Sequence, residues 1–233
     1  MKRIGILGGM SLESTAEYYL HITRRYVERF GTYAYPEIVI HSVSFQPYVD
    51  WPAAGRWDLV AEGLIEGANL LAVAGADFLV MATNTMHRVL PDIEAHVGIP
   101  ILSLPRVVGE AIEARGLQNV ALLGTRFTME ERFYPDALAE RGIDVLVPDV
   151  EDRRIVDRAI YEELVVGRIR EDDRTEYLRI IKQLVARGAE GVILGCTEIP
   201  VLLHPGDSPI PLFDSSRIHA DAALDFALQE DET

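Results

Sequence analysis

A chain of 233 residues, 48% of them hydrophobic, can bury one large core or two smaller ones, which excludes a disordered protein. Its 22 basic and 37 acidic residues give a formal net charge of −15, which argues against nucleic acid or an anionic membrane as a partner. No apolar stretch approaches the roughly 20 residues of a membrane span, and no signal-peptide cleavage site follows the N-terminus. We therefore expect a compact, soluble protein that resides in the cytoplasm.

Cys196 is the only cysteine, which excludes an intrachain disulfide and a cysteine-cluster metal site. It is either a buried structural thiol or a reactive one. The six histidines show no metal-ligand spacing such as H-E-x-x-H, so we predict no metal site.

Short apolar runs alternate with longer segments of helical periodicity. Apolar strands that are each followed by a helix are typical of a parallel sheet covered on both faces, which predicts an α/β fold. The predicted strands cover residues 4–7, 37–43, 78–82, 120–123, 145–147 and 191–194. The predicted helices cover residues 14–30, 57–74, 85–97, 106–115, 129–141, 154–166, 175–187 and 216–229. A capping box at residues 14–17 is expected to start the first helix.

An internal repeat divides the chain into two halves. Residues 75–85 lie over residues 188–198 without a gap, so Thr83 falls on Cys196 at an offset of 113 residues (196 minus 83). Residues 4–8 likewise lie over 120–124, and 99–102 over 210–213. The repeat predicts two pseudo-symmetric three-layer α/β/α domains with mainly parallel sheets. We expect residues 1–98 and 213–233 to form the N-terminal domain and residues 99–212 the C-terminal domain.

The repeat also predicts a functional site. Ligands in open α/β sheets bind beyond the carboxyl ends of the strands, and Thr83 and Cys196 both follow such an end. If the two domains pack with these ends facing, the two residues lie on opposite sides of an interdomain cleft. The alternative is that the repeat reflects only the duplication of a stable fold.

Five motifs, in order along nearly the whole chain, resemble the aspartate/glutamate racemase superfamily, and most closely its broad-specificity and aspartate racemase branch. They are residues 8–15 (GGMSLEST), 83–87 (TNTMH), 124–129 (GTRFTM), 160–164 (IYEEL) and 195–199 (GCTEI). The resemblance implies a homodimeric amino-acid racemase that uses neither pyridoxal phosphate nor another cofactor. In that family two cysteines on opposite faces of the substrate exchange the α-proton.

Inversion by proton transfer requires an acid and a base on opposite faces of Cα, and a thiolate is a competent base near neutral pH. Cys196 matches the second cysteine of the family. We expect the amides of the helix that begins near Thr197 and Glu198 to lower the pKa of this thiol and to hold a carboxylate.

Thr83 stands where most members of the family have the first cysteine. A hydroxyl ionises far less readily than a thiol, although it can donate a proton directly or through a water. The sequence therefore predicts an asymmetric enzyme that abstracts readily on the Cys196 face, and so favours one enantiomer or exchanges the α-proton with incomplete inversion.

The resemblance also implies a set of substrate-binding residues, each of which could instead be a turn or cap residue. Asn84, Thr85 and Thr197 match groups around the α-carboxylate, and Gln46 is a candidate selector of the substrate side chain. The full set comprises Met10, Ser11, Gln46, Asn84, Thr85, Thr125, Thr128, Thr197 and Glu198. His87 is expected to orient the loop after Thr83, to assist proton exchange or to be purely structural.

The chain departs from the aspartate racemases at the subsite for the distal carboxylate. Near the end of the helix that contains Tyr161, where those enzymes have a basic residue, residues 164–166 are Leu-Val-Val. This departure favours broader specificity. The remaining candidates for a carboxylate clamp are Arg56, Arg106, Arg126 and Arg217.

Two other functions are compatible with these residues. A decarboxylase of the arylmalonate decarboxylase type needs one cysteine to protonate a planar intermediate, which fits the missing first cysteine. An amino-acid-binding protein without catalytic activity would bind the ligand but exchange no proton.

Overall fold

The computed structural model describes residues 1–229 and forms two compact units. Unit 1 contains Met1–Leu104 together with the segment that begins at His219, and unit 2 contains Pro105–Ile218. Each unit has a four-stranded sheet, and the strand pairs observed in residues 1–229 are all parallel. The predicted α/β class is therefore confirmed.

Unit 1 is an α/β/α layer whose two central strands are buried on both faces, as their continuous apolar sequences require. One face packs against Leu64 and Leu71, and the other packs against Tyr18, Ile22 and Leu224. The strands, in the order β2-β1-β3-β4, are β1 (Ile4–Gly8), β2 (Ile38–Ser42), β3 (Phe78–Met81) and β4 (Ile101–Leu102). The helices are α1 (Leu12–Phe30), α2 (Phe45–Ala53), α3 (Trp57–Val73), α4 (Leu90–Glu94) after a 3₁₀ helix (Thr85–Val89), and the part of α11 (Ser215–Leu228) from His219 onward.

Unit 2 has the same strand arrangement. Its strands, in the order β6-β5-β7-β8, are β5 (Asn119–Gly124), β6 (Asp144–Leu146), β7 (Gly191–Gly195) and β8 (Leu212–Asp214). Its helices are α5 (Leu104–Glu113), α6 (Arg126–Glu130), α7 (Phe133–Ala139), α8 (Val150–Arg158), α9 (Glu171–Ala186) and α10 (Ile199–Leu202). A π-helical turn (Ala159–Glu163) and a 3₁₀ turn (Leu164–Val166) continue α8. β3 and β7, which precede Thr83 and Cys196, therefore hold equivalent positions in the two sheets.

The two chain crossings lie six residues beyond the expected ones, at 104/105 against 98/99 and at 218/219 against 212/213. The reason is strand pairing: β4 joins β3 in unit 1, and β8 joins β7 in unit 2. Neither short strand is among the predicted strands, although both overlap the repeated residues 99–102 and 210–213. Residues 230–233 of the expected N-terminal domain lie outside the described residues.

Helix boundaries differ from prediction where caps and prolines intervene. α1 begins at Leu12, two residues earlier than predicted, because Ser11 and not Ser14 is its N-cap, so the capping-box assignment was wrong. α2 was not predicted, since Pro47 and Pro52 in its sequence usually oppose a helix. None of the helices within residues 1–229 combines the length and apolar character needed to cross a membrane.

Candidate active site

Thr83 lies in a tight turn directly after β3 and is almost completely buried. Its amide donates to the carbonyl oxygen of Met81 at 2.8 Å, and its own carbonyl oxygen lies 2.9 Å from Nδ1 of His87. Asn84 and Thr85, the next expected substrate-binding residues, are also buried in this turn. Both backbone polar groups of Thr83 are therefore occupied, which fixes its peptide.

Cys196 lies directly after β7, the corresponding position of unit 2, and its thiol is in contact with a carboxylate. Sγ donates to Oε2 of Glu198 at 2.9 Å, and the Thr197 hydroxyl donates to the same oxygen at 2.7 Å. Glu198 is 6% exposed, so the carboxylate accepts these bonds away from bulk water. Residues 196–198 therefore form one hydrogen-bonded cluster of a thiol, a hydroxyl and a carboxylate.

Burial raises the pKa of the Cys196 thiol well above its ordinary value, and the charge and hydrogen bond of Glu198 raise it further. The backbone amide of Glu198 lowers this pKa, as the sequence predicts for the amides of this segment, but burial and the Glu198 carboxylate outweigh it, so the net direction is opposite to the expected one. α10 begins only at Ile199 and has four residues, so it contributes little dipole, whereas Glu198 brings a negative charge to the sulfur. The sequence shows that Glu198 is close to Cys196 along the chain, but it does not show that the Glu198 side chain points towards the thiol.

The loops that follow β1 and β5 contain the same hydroxyl pair. Ser11 Oγ accepts from the amide of Ser14 at 3.3 Å and lies 3.1 Å from the Ser14 hydroxyl. Thr125 and Thr128 repeat this pair in unit 2, with the same two distances. These two loops therefore begin their helices with the same cap, and the capping role proposed as an alternative for Ser11, Thr125 and Thr128 is present in the structure.

The expected binding residues fall into two groups, one in each unit. Met10, Ser11, Thr83, Asn84 and Thr85 follow the carboxyl ends of the paired strands β1 and β3. Thr125, Thr128, Cys196, Thr197 and Glu198 follow those of the paired strands β5 and β7.

Gln46 follows a third strand of unit 1, β2, whose carboxyl end is paired with that of β1. It lies on the unpredicted helix α2, is exposed, and donates to Asp50 at 2.9 Å.

Two residues near Cys196 were not among the sequence candidates. Tyr161 lies in the π-helical turn, a feature that is frequent at functional sites. Burial raises the pKa of its hydroxyl, the charges of Cys196, Asp157 and Glu198 raise it further, and Arg126 opposes them. Asp157 accepts from the backbone amide of Arg126 at 2.6 Å. Tyr161 was visible in a family motif, but nothing in the sequence pattern pointed to Asp157.

The four candidate arginines differ in their partners. Arg56 pairs with Asp58 at 2.5 Å, Arg106 with Glu140 at 3.6 Å and Arg217 with Asp214 at 3.5 Å. Arg126 forms no ion pair within residues 1–229, and its guanidinium lies 4.9 Å from the centre of the Phe127 ring. It follows β5, whose Gly124 is in register with Gly195, the residue before Cys196.

In the part of the chain that is described, no group of three or more His, Cys, Asp or Glu residues is arranged to hold a metal ion.

Comparison with known proteins gives consistent matches along the chain. The model of the family described as Asp/Glu/Hydantoin racemase matches residues 7–223. The broad specificity amino-acid racemase RacX of Bacillus subtilis is 25% identical over 222 residues, which cover 91% of this chain and 92% of RacX. A candidate Asp/Glu racemase structure from Yersinia pestis is 44% identical, with a TM-score of 0.92 over 98% of this chain and 100% of that one. An aspartate racemase homologue from Pyrococcus horikoshii is 38% identical, with a TM-score of 0.84 and the same coverage.

Proposed function

We propose that this chain, which belongs to the Asp/Glu/Hydantoin racemase family, racemises aspartate, glutamate or related amino acids by α-proton exchange without a cofactor. Its homologues include amino-acid racemases. The observation that carries the proposal is the equivalence of two strand ends: Thr83 follows β3, and the hydrogen-bonded Cys196 thiol follows β7 at the same position of a repeated sheet.

Cys196 serves as the base on one face of the substrate. Its contact with Glu198 provides the first step, in which the thiol proton passes to the carboxylate, leaving a thiolate beside a neutral acid instead of a second anion. The thiolate then takes the α-proton, which regenerates the thiol and leaves a carbanion on the substrate.

Thr83 serves on the opposite face as the proton donor. Its hydroxyl delivers a proton to the carbanion, directly or through a water, and regains a proton from solvent, while Glu198 releases the proton that it took from the thiol and returns to the carboxylate. Because an alcohol is a much weaker acid than a thiol, abstraction from the Thr83 side is slow. The enzyme therefore prefers the enantiomer whose α-hydrogen faces Cys196.

The hydroxyl and amide groups around the two strand ends suit the α-carboxylate, and the Glu198 carboxylate suits the α-ammonium group as the substrate binds, before the thiol proton passes to Glu198. The proposed binding residues are those that the sequence indicated: Met10, Ser11, Gln46, Asn84, Thr85, Thr125, Thr128, Thr197 and Glu198.

Arg126 is the arginine that we assign to a carboxylate on the substrate side chain. Its guanidinium forms no ion pair within residues 1–229, and its charge acts on the same Tyr161 hydroxyl as that of Cys196. An arginine on the loop after β5, the strand paired with β7, would attract aspartate or glutamate despite the net charge of −15, because local ion pairs outweigh a screened distant field.

We further propose that the protein works as a cytoplasmic homodimer. A chain whose one cysteine is a free thiol suits a reducing compartment, where thiols are kept reduced. Unit 1 also exposes Tyr33 and Ile40, 84% and 41% accessible, around the edge strand β2. Light scattering tests this assembly, and a monomer at micromolar concentration would contradict it.

The deciding experiment follows α-deuterium incorporation and optical rotation separately, starting from L- and D-aspartate in heavy water. The proposal expects exchange from one enantiomer to be faster, with both activities lost in Cys196→Ala. Equal exchange from both enantiomers would rule out the asymmetry. Carbon dioxide release from a malonate analogue would instead indicate a decarboxylase. Thermal stabilisation by amino acids that persists in Cys196→Ala, without any exchange in the wild type, would indicate a binding protein.

A further inference from the structure

His87 joins two backbone positions of unit 1 through a buried imidazole. Its Nδ1 lies 2.9 Å from the carbonyl oxygen of Thr83, and its Nε2 accepts from the amide of Leu104, the first residue of α5, at 3.0 Å. The side chain is deeply buried, as the residue is 3% exposed. His87 therefore connects the turn of the proposed proton donor to the start of a helix.

The two contacts define the protonation state of the ring. An amide can only donate, so Nε2 must be an unprotonated acceptor, and a carbonyl oxygen can only accept, so Nδ1 must bear the hydrogen. Burial, and secondarily His219, lower the pKa of His87 to about 3. The imidazole is thus a neutral Nδ1–H tautomer at neutral pH, without a nitrogen available to exchange a proton with substrate.

The contact with Thr83 has a geometric consequence. The Thr83 amide is held by Met81 and its carbonyl by His87, so neither backbone dihedral can change without breaking a buried hydrogen bond. The direction of the Cα–Cβ bond is then fixed. Because threonine is branched at Cβ and has few χ1 rotamers, the position of the hydroxyl is restricted as well.

We propose that His87 is a positioning residue for Thr83, which holds the threonine hydroxyl in its donating position through the Thr83 carbonyl and takes no part in proton transfer. This inference rests on the proposed racemase function. Of the three roles that the sequence allows for His87, it selects the orientation of the loop after Thr83 over assistance in proton exchange and over a purely structural role.

Two isosteric variants separate the two contacts. His87→Asn retains a donor at the Nδ1 position and His87→Gln retains an acceptor at the Nε2 position. Tyr18→Phe is the matched control, since it removes a buried hydrogen bond of the same unit, from Tyr18 to His219 at 2.8 Å, and leaves both His87 contacts in place. The measured quantity is the ratio of inversion to α-deuterium exchange from L- and D-aspartate, because inversion requires Thr83 and exchange with retention requires only Cys196.

His87→Gln should lower the inversion-to-exchange ratio about tenfold through misplacement of the donor, whereas His87→Asn and Tyr18→Phe should keep the wild-type ratio. An unchanged ratio in His87→Gln, or an equal fall in all three variants, would overturn the proposal. If the wild-type protein exchanges no α-proton, the proposed racemase function is itself wrong. That result is distinct from a failure of the inference about His87.

A measurement on the wild type covers the case in which His87→Gln does not fold. Nitrogen-15 NMR of histidine-labelled protein should show His87 as the neutral Nδ1–H tautomer over the active pH range. A protonated ring, or the Nε2–H tautomer, would contradict the inference.

Discussion

The thiol of Cys196 donates a 2.9 Å hydrogen bond to Oε2 of Glu198, an oxygen that also accepts the hydroxyl of Thr197. This relationship makes Glu198 the group that controls ionisation of the thiol after burial. The same contact limits how the sulfur can become a base. If Glu198 stayed ionised, the thiolate would form beside a buried anion.

Glu198→Gln should lower the pKa of the Cys196 thiol, because the substitution removes the negative charge beside the sulfur. The pH dependence of alkylation by iodoacetamide measures this directly, as the chain has one cysteine. Glu190→Gln is the matched control, because Glu190 accepts from the amides of Gln118 and Asn119 and does not contact the thiol. The same alkylation midpoint in wild type and Glu198→Gln would refute the assignment.

Thr83→Cys should reduce the asymmetry between enantiomers. A thiol at this position can act as a base, so turnover of the disfavoured enantiomer should rise about tenfold or more. Thr83→Ser keeps a hydroxyl and should retain the wild-type preference. Initial rates from L- and D-aspartate measured by circular dichroism give both values, and an unchanged enantiomer ratio in Thr83→Cys would count against Thr83 as the opposing donor.

Arg126→Met should lower kcat/KM for aspartate about tenfold, because a charge-assisted pair with the side-chain carboxylate is lost. Racemisation of asparagine, which has the same shape without the charge, should change little. Arg106→Met is the control, since Arg106 already pairs with Glu140. Equal losses on aspartate and asparagine would show that Arg126 does not select the carboxylate.

Acid should destabilise unit 1 through its two buried histidines. Burial is the main cause that lowers the pKa of His87 to about 3 and that of His219 to about 4, from 6.5. A lowered folded-state pKa means that the unfolded chain binds protons first, so this stability is present above pH 6.5 and decreases as pH falls towards the folded values.

Each histidine should contribute about 1.4 kcal/mol of lost unfolding free energy per pH unit in this window. Urea unfolding of His219→Gln should therefore show a shallower acid slope than the wild type. Tyr19→Phe, at an exposed position of α1, leaves both histidines and their contacts in place and should retain the wild-type slope. Parallel curves for the wild type and His219→Gln would contradict the assignment.

Gly9→Ala should destabilise the protein far more than Gly31→Ala. Both glycines have positive φ, 88° and 67°, which costs an alanine about 1 to 2 kcal/mol. At Gly31 a Cβ meets nothing within 4 Å, whereas at Gly9 it would lie 2.3 Å from the Val43 carbonyl oxygen. The clash should add about 2 kcal/mol or more, and equal denaturant midpoints for the two variants would exclude it.

The sequence by itself determined the α/β class, the duplicated halves and the equivalence of Thr83 with Cys196. Strand periodicity, register and motif order are properties of the chain alone, and duplication leaves the same residue types at the same strand ends. The sequence also indicated the candidate site residues, because polar groups that follow apolar strands collect at the carboxyl edge of a parallel sheet.

Only the tertiary structure decided which sheet takes the short strands β4 and β8, how Glu198 acts on the thiol, and how His87 is protonated. Strand pairing, burial and side-chain direction depend on neighbours that are distant in sequence. Leu104, 17 residues from His87, fixes the tautomer of that ring. The pKa of Cys196 was predicted in the wrong direction for the same reason, since desolvation by the core and the approach of Glu198 appear only after the chain has folded.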